Sequence, residues 1–250
     1  MTSSGLSTVS FSELPCTFHH HFNSLDGRVF AGRVSMNLKR IIIGFLLAAL
    51  LIICSYYFLD ARVALFVSRA WMSNAHFAIY AVTIPDFLFS LVCIITGIAW
   101  IAYFYLAHKG IHNTHVRFLQ LVAVTVPLTF FLESILKHVV GRIDTRFWLH
   151  HPTIKEFHWL HGAGHYNGFP SGHMAVFTVL VIALCKVYPR YRSAFFLFLS
   201  FLALALIATD YHFLSDIIGG VYLGWSVHFY TLRGLTLLRN VKESERDNLL

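Results

Sequence analysis

Three polar clusters stand at the ends of otherwise apolar stretches: Lys137 with Arg142, Pro170-Ser171-Gly172-His173, and His212 with Asp216 four residues on. Together they supply two cations, a hydroxyl, two imidazoles and a carboxylate. Phosphoryl transfer calls for such a set, because it needs positive charge and N–H donors around the equatorial oxygens, with a nucleophile and an acid in line. Ser171 is a good N-cap, and Gly172 lets a ligand approach the backbone. A helix beginning there would turn unpaired N–H groups and a favourable dipole towards an anion. Lys137 and Arg142 add charge, the arginine through forked hydrogen bonds. His212 and Asp216 share a face if a helix has begun by then. The carboxylate then holds one ring nitrogen and leaves the other free to attack, with His173 as general acid. Taken singly, each cluster has a plainer reading. A span-end Lys or His usually snorkels, Ser-Gly usually only caps a helix, and a His–Asp pair can simply join two helices. Three together, in this order on one side, favour chemistry. Without the nucleophile the same set would only bind phosphate.

The chain that must position these residues is 57% hydrophobic and only 12% charged, with a mean hydropathy of +0.65. Soluble domains carry roughly 25% charged residues, so the composition predicts an all-α polytopic membrane protein. Six transmembrane helices are expected: Ile41–Leu59, Phe87–Leu106, Phe118 to about Leu136 with a kink at Pro127, Gly172–Val187, Ala194–Ala208, and about Asp216–Leu232. A 19-residue run spans roughly 29 Å, the thickness of a hydrocarbon core. The last three spans read as short, with ends dipping below the surface to line a polar site. Between the first two, Ala61–Ile84 reads as either an interfacial amphipathic helix or a loosely helical connection. Residues 1–35 read as a flexible Ser-rich tail, 36–235 as the six-span domain and 236–250 as a polar tail. Met36-Asn37-Leu38-Lys39-Arg40 before an apolar run resembles a protein start, so 1–35 also reads as an over-extended start or a leader. A cleaved signal peptide from Met36 is the rival. Cys54, Cys93 and Cys185 lie in apolar runs, as small core residues rather than a disulfide framework.

Charge sets the orientation. With the N-terminus inside, six of the 19 Lys and Arg (Arg62, Arg69, Lys137, Arg142, Arg146 and Lys155) fall outside, and the other 13 inside. This bias predicts cytoplasmic termini and places all three clusters on the outer face. The formal charge of +7 therefore reads as topology, and no nucleic-acid partner is expected.

With these residues in place, the chain resembles the type 2 phosphatidic acid phosphatase superfamily, which is related to vanadium haloperoxidases. The family motifs are Lys-x6-Arg-Pro, Pro-Ser-Gly-His and Ser-Arg-x5-His-x3-Asp. Pro170–His173 matches the second completely, and His212–Asp216 matches the end of the third, followed by Gly219-Gly220 in family style. The resemblance covers about residues 87–232 and more weakly the first span. It implies that His212 forms a phosphohistidine and Asp216 orients it. It implies that His173 protonates the leaving group and later activates water. Lys137, Ser171 and Gly172 would bind phosphate, with no metal or other cofactor. Two family arginines are missing: Asp144-Thr145 stands in place of Arg-Pro, and Leu206 in place of the motif-three arginine. Arg142 fits a further family arginine, and Arg146 is the candidate substitute for a lost one. This is a variant branch that keeps Gly141-Arg142 and Trp148.

The resemblance implies a membrane enzyme acting on a phosphorylated lipid; the charge bias places that reaction at the outer face, and the size and style of the chain suggest a bacterial inner membrane. Two alternatives stand beside hydrolysis: a phosphotransferase using the same intermediate, and a non-catalytic lipid- or anion-binding member. The segment Phe147–Phe169 holds His150, His151, His158, His161 and His165. That density raises a metal site, but no spacing is diagnostic. Trp148 and Trp159 suit the lipid interface, and His161–His165 reads as a flexible turn.

Overall fold

The computed structural model describes residues 38–71, 75–111 and 113–247. The expectations for residues 1–35 lie outside them. Eight α-helices and no strand occur among the described residues. α1 (Leu38–Ser55) runs through a π-helical turn (Tyr56–Asp60) into α2 (Ala61–Trp71). α3 is Ala75–His108, α4 Thr114–Val140, α5 the short Thr145–His150, and α6 Gly172–Val187. A 3₁₀ turn at Pro189–Tyr191 leads into α7 (Arg192–Ala208), and α8 is Leu214–Asp247.

Four helical segments are long and apolar enough to cross a membrane: Lys39–Ala70, Phe87–His108, Thr114–Val140 and Pro189–Ala208. Their flanks carry exposed Ile43, Phe45, Ile98, Ile101, Phe131 and Phe201. Apolar surface on this scale is a lipid belt, and the chain is an integral membrane protein. Three expectations change here. The 61–84 stretch is not a separate interfacial helix at its start, because α2 continues α1 without a break and buries Ala64 and Val67. The last helix is not short: α8 runs on through the polar residues to Asp247. Cys54 and Cys93 lie on exposed faces rather than in the core.

α6 is the central strut. Met174, Ala175, Val176, Val179, Val181 and Ala183 are all buried, and it packs chiefly on α8 and α4. Glycines bring α8 this close. A Cβ on Gly220 would lie 2.4 Å from the Ser171 carbonyl oxygen, and one on Gly224 would lie 2.2 Å from that of Ala175. Small residues at a helix–helix seam let backbones touch where lipid gives no hydrophobic drive.

α4 shows how a proline is accommodated at this depth. Pro127 cannot donate to the Ala123 carbonyl one turn back, and Trp100 Nε1 of α3 donates to that oxygen at 2.6 Å. At the C-terminal end, Gly141 adopts the left-handed conformation and its N–H donates to Lys137 O. The following orphan carbonyls are taken up by the long segment before α6: Gly162 N–H donates to His138 O, and Leu160 N–H to Val139 O. Gly162 is therefore fixed by a hydrogen bond and close backbone packing, whereas Gly164 two residues on has open space around it. A Cβ on Gly162 would sit 2.0 Å from Lys137 O. Trp148 also departs from expectation: it is buried among Ala64, Ile143 and Phe213, while Trp159 is exposed.

Candidate active site

The starts of α6 and α8 meet where α4 ends. Ser171 caps α6, its side chain accepting from Met174 N–H, and its own N–H donates to Asp216 O at 3.1 Å. That bond ties the second cluster to the third. His173, in the first turn of α6, faces His212 with ring centroids 6.4 Å apart. Tyr211 and Phe89 also pack against the His173 ring. Both histidines are buried, yet both line a cavity of about 700 Å³ with Lys137, Arg146 and Gly172.

His212 and Asp216 come together for a different reason from the one expected. α8 begins at Leu214, so His212 precedes the helix rather than sharing its face. Asp216 folds back over the first turn: Oδ2 accepts from Phe213 N–H at 3.0 Å and lies 3.7 Å from His212 Nδ1. That is an ion-pair distance, longer than a hydrogen bond.

Arg142 is where structure and expectation part most clearly. It was expected to bind phosphate, but it does not line the cavity. Its guanidinium lies behind His212: Nη1 donates to Asp216 Oδ1 at 2.6 Å and to Ser215 Oγ, and Nη2 donates to Asp60 Oδ2 at 2.7 Å. Tyr56, Phe157 and Phe213 enclose it. Burial works against the Arg142 charge, but Asp216 and Asp60 outweigh it and hold its pKa above the ordinary arginine value. Ser171 and Asp216 likewise stand behind the cavity wall, both with no exposed surface.

The two positions where the family motifs carry arginine hold residues with other structural uses. Asp144, where the family usually has Arg, is the N-cap of α5, with Oδ1 accepting from Phe147 N–H at 2.7 Å. The helix it caps carries Arg146 to the cavity. Nη2 of Arg146 donates to Thr209 O at 2.9 Å, and its guanidinium lies over Tyr211. Leu206, at the other lost position, is 1% exposed and packs in the core with Met174, Leu202 and Ile217.

Sequence reasoning gave no role to Asp60, Ser215, Glu133 or Asp210. Asp60 is a lone acid closing an apolar span, and that position was its only signal. Glu133 stands one turn before Lys137, and the structure pairs them at 2.6 Å. Its Oε1 would lie 2.6 Å from a Cβ on Gly172, so alanine there would strike a carboxylate. Asp210, between α7 and α8, is buried with both carboxylate oxygens unpaired. Burial pushes its pKa up to about 6 against an opposing pull from Arg146. Of the histidine-rich segment, His150, His151 and His165 line the cavity, with Phe147 stacked on His151 and on His165. Among the described residues, no three His, Cys, Asp or Glu side chains gather as a metal site.

Helix ends, two facing histidines and a buried carboxylate behind one of them define a class: integral membrane proteins with a histidine pair facing a cavity. The family model of the PAP2 superfamily matches residues 118–239, just under half of the chain. It is 29% identical over 100 residues to the lipid A 1-phosphatases of Rhizobium etli and Rhizobium johnstonii, a match covering 40% of this chain. The matched part spans about two fifths of those relatives' length, 43% and 41%. A crystal structure of a transmembrane PAP2-type phosphatidylglycerolphosphate phosphatase from Bacillus subtilis is similar over 78% of this chain and 94% of that one. The sequence identity is 16% and the TM-score 0.42.

Proposed function

We propose that this protein is a membrane phosphatase that removes phosphate from a phosphorylated lipid through a phosphohistidine. The observation that carries this reading is the facing of His173 and His212 across a cavity that also takes Lys137 and Arg146. Cations at the wall meet the phosphoryl charge, and the two imidazoles divide the work of attack and protonation.

In the first step Nε2 of His212 attacks phosphorus. The bond from phosphorus to the lipid oxygen breaks, and His173 gives that oxygen a proton. In the second, a water attacks the phosphohistidine and passes a proton to His173. The P–N bond breaks, orthophosphate leaves, and both histidines return to their starting states. Asp216 holds His212 Nδ1 throughout, which requires the 3.7 Å separation to close by about 1 Å to hydrogen-bonding distance. Lys137, Gly172 and Arg146 contact the phosphoryl oxygens. Ser171 supports the seat from behind as the α6 cap.

Residues 36–235 form the phosphatase domain on this reading, with α6 and α8 joining the four long apolar segments as spans. Both termini face the cytoplasm, and the site opens to the outer face of a bacterial inner membrane. The cation bias supports that orientation. The relatives' name makes a phosphorylated glycolipid of the lipid A class the first substrate to test, beside polyprenyl diphosphate, phosphatidic acid and phosphatidylglycerophosphate.

Purified protein is expected to release orthophosphate from at least one of these lipids. His212→Ala is expected to abolish release, vanadate to inhibit it as a mimic of five-coordinate phosphorus, and a chelator to leave it unchanged. Release that survives in His212→Ala sinks the mechanism. Supplying a second lipid as acceptor separates hydrolysis from phosphotransfer.

A further inference from the structure

Behind His212 lies a buried charge array that reaches the far end of the first helical segment. Asp60 closes the π-helical turn after α1 and is 3% exposed. π-turns of this kind often mark functional positions. Its Oδ2 accepts from Arg142 Nη2 at 2.7 Å and from Ser215 Oγ. Its Oδ1 accepts from Ser215 N–H at 3.0 Å. Arg142 then pairs with Asp216 at 2.6 Å, and Asp216 faces His212 Nδ1. The side chains of Asp60, Arg142 and Asp216 are 3%, 3% and 0% exposed.

One guanidinium is thus shared by two carboxylates, and one negative charge is left over. If Arg142 paired with Asp216 alone, that pair would be neutral, and His212 would face little net charge. Asp60 draws part of the arginine's charge away. A burden of three buried charges is expensive where packing alone is sought, and charges placed this close interact strongly in a dry interior.

We propose that Asp60 is a positioning residue for His212: by sharing Arg142, it keeps Asp216 negative enough to hold and activate the imidazole. This rests on the reading of His212 as the nucleophile. It ties the first helical segment, outside the matched region, to the chemistry.

The test uses three variants of the full chain with the lipid phosphate turned over best: Asp60→Asn, Arg142→Gln and the double variant. Their charges around Asp216 sum to neutral, two negative, and the wild-type single negative. Less negative charge beside the imidazole favours its neutral form. The acid limb of the kcat/KM profile is therefore expected at lower pH in Asp60→Asn and at higher pH in Arg142→Gln. The double variant is expected to return to the wild-type limb. Asp60→Asn should lower kcat about 10-fold and leave KM within about 2-fold.

The other titratable groups around His212 (His173, Tyr211, Arg146 and the Lys137–Glu133 pair) are the same in all three variants. A purely structural Asp60 would lower active enzyme without moving the limb, and the double variant would be the worst of the three. Any folded variant whose limb falls out of the predicted order against wild type overturns the proposal, so one folded variant suffices. The His212→Ala control separates the two failures. If it stays active, the nucleophile assignment is wrong. If it is inactive and the limbs do not move, only the role of Asp60 is wrong.

Discussion

At the scale of single residues, Arg146 is the cation proposed to replace one of the two family arginines absent at Asp144 and Leu206. It reaches the cavity because Asp144 caps the short helix that holds it. A charge-assisted hydrogen bond is worth about 1.5–3 kcal/mol, so Arg146→Ala is expected to lower kcat/KM by about 10- to 100-fold, mostly through KM. Steady-state kinetics on the best lipid phosphate checks this, and an unchanged KM would contradict it. Asp210 gives a second prediction. Its value in the folded protein, about 6, lies above its ordinary 3.8. The folded state therefore holds that proton more tightly than the unfolded state, which favours folding at low pH. This advantage is lost as pH rises through about 6. Asp210→Asn should raise the thermal midpoint relative to wild type by a margin that widens from pH 5 to pH 7. A margin that shrinks over that range would contradict the assignment. The sequence showed His173, His212 and Asp216 because motif spacing carries them. It did not show Asp60, because Asp60 and Ser215 are 155 positions apart and only the packing of α1 against the start of α8 brings them together. Arg142 was misread for the same reason: its identity suits phosphate, but its burial among two carboxylates and three aromatic rings is a tertiary fact.

At the scale of elements, the site depends on how closely α8 lies against α6. Gly220→Leu would drive a side chain into the Ser171 carbonyl and strain the Ser171–Asp216 bond that joins the two clusters. Overpacking costs about 1–3 kcal/mol or more, so a lower thermal midpoint in detergent and loss of activity are expected. Gly44→Leu, with open space around it, is the matched control and should change neither. A tolerated Gly220→Leu would mean that the seam does not set the site. The helix positions were legible because apolar runs of span length leave few alternatives. Their boundaries were less so: α2 continues α1 through a π-turn, and α8 extends into polar sequence, where periodicity carries little signal. The segment before α6 looked flexible from its glycines. Gly162 instead allows close packing on the end of α4.

At the scale of the whole molecule, the orientation rests on the asymmetry of Lys and Arg. A cysteine-free background carrying either His161→Cys or Asn240→Cys tests it with a membrane-impermeant maleimide on intact cells. His161→Cys is expected to label directly, and Asn240→Cys only after permeabilisation. The reverse pattern would put the site on the cytoplasmic face and change where the substrate is met. The apolar belt made membrane residence plain from composition. The number of spans did not follow as directly, because α6 is shorter than a bilayer-spanning helix and α8 is too polar on average to declare itself.

The central claim is that His212 carries the phosphoryl group. Quenching the enzyme in alkaline detergent within its first turnovers on a ³²P-labelled lipid phosphate, testing the label's survival in alkali and in acid, and mapping it by peptide at alkaline pH tests this most directly. The account predicts an alkali-stable, acid-labile label on the peptide containing His212, absent in His212→Ala and accumulating in His173→Ala if loss of the general base slows hydrolysis more than attack. Steady turnover with no label at His212, or the same label in His212→Ala, would contradict it.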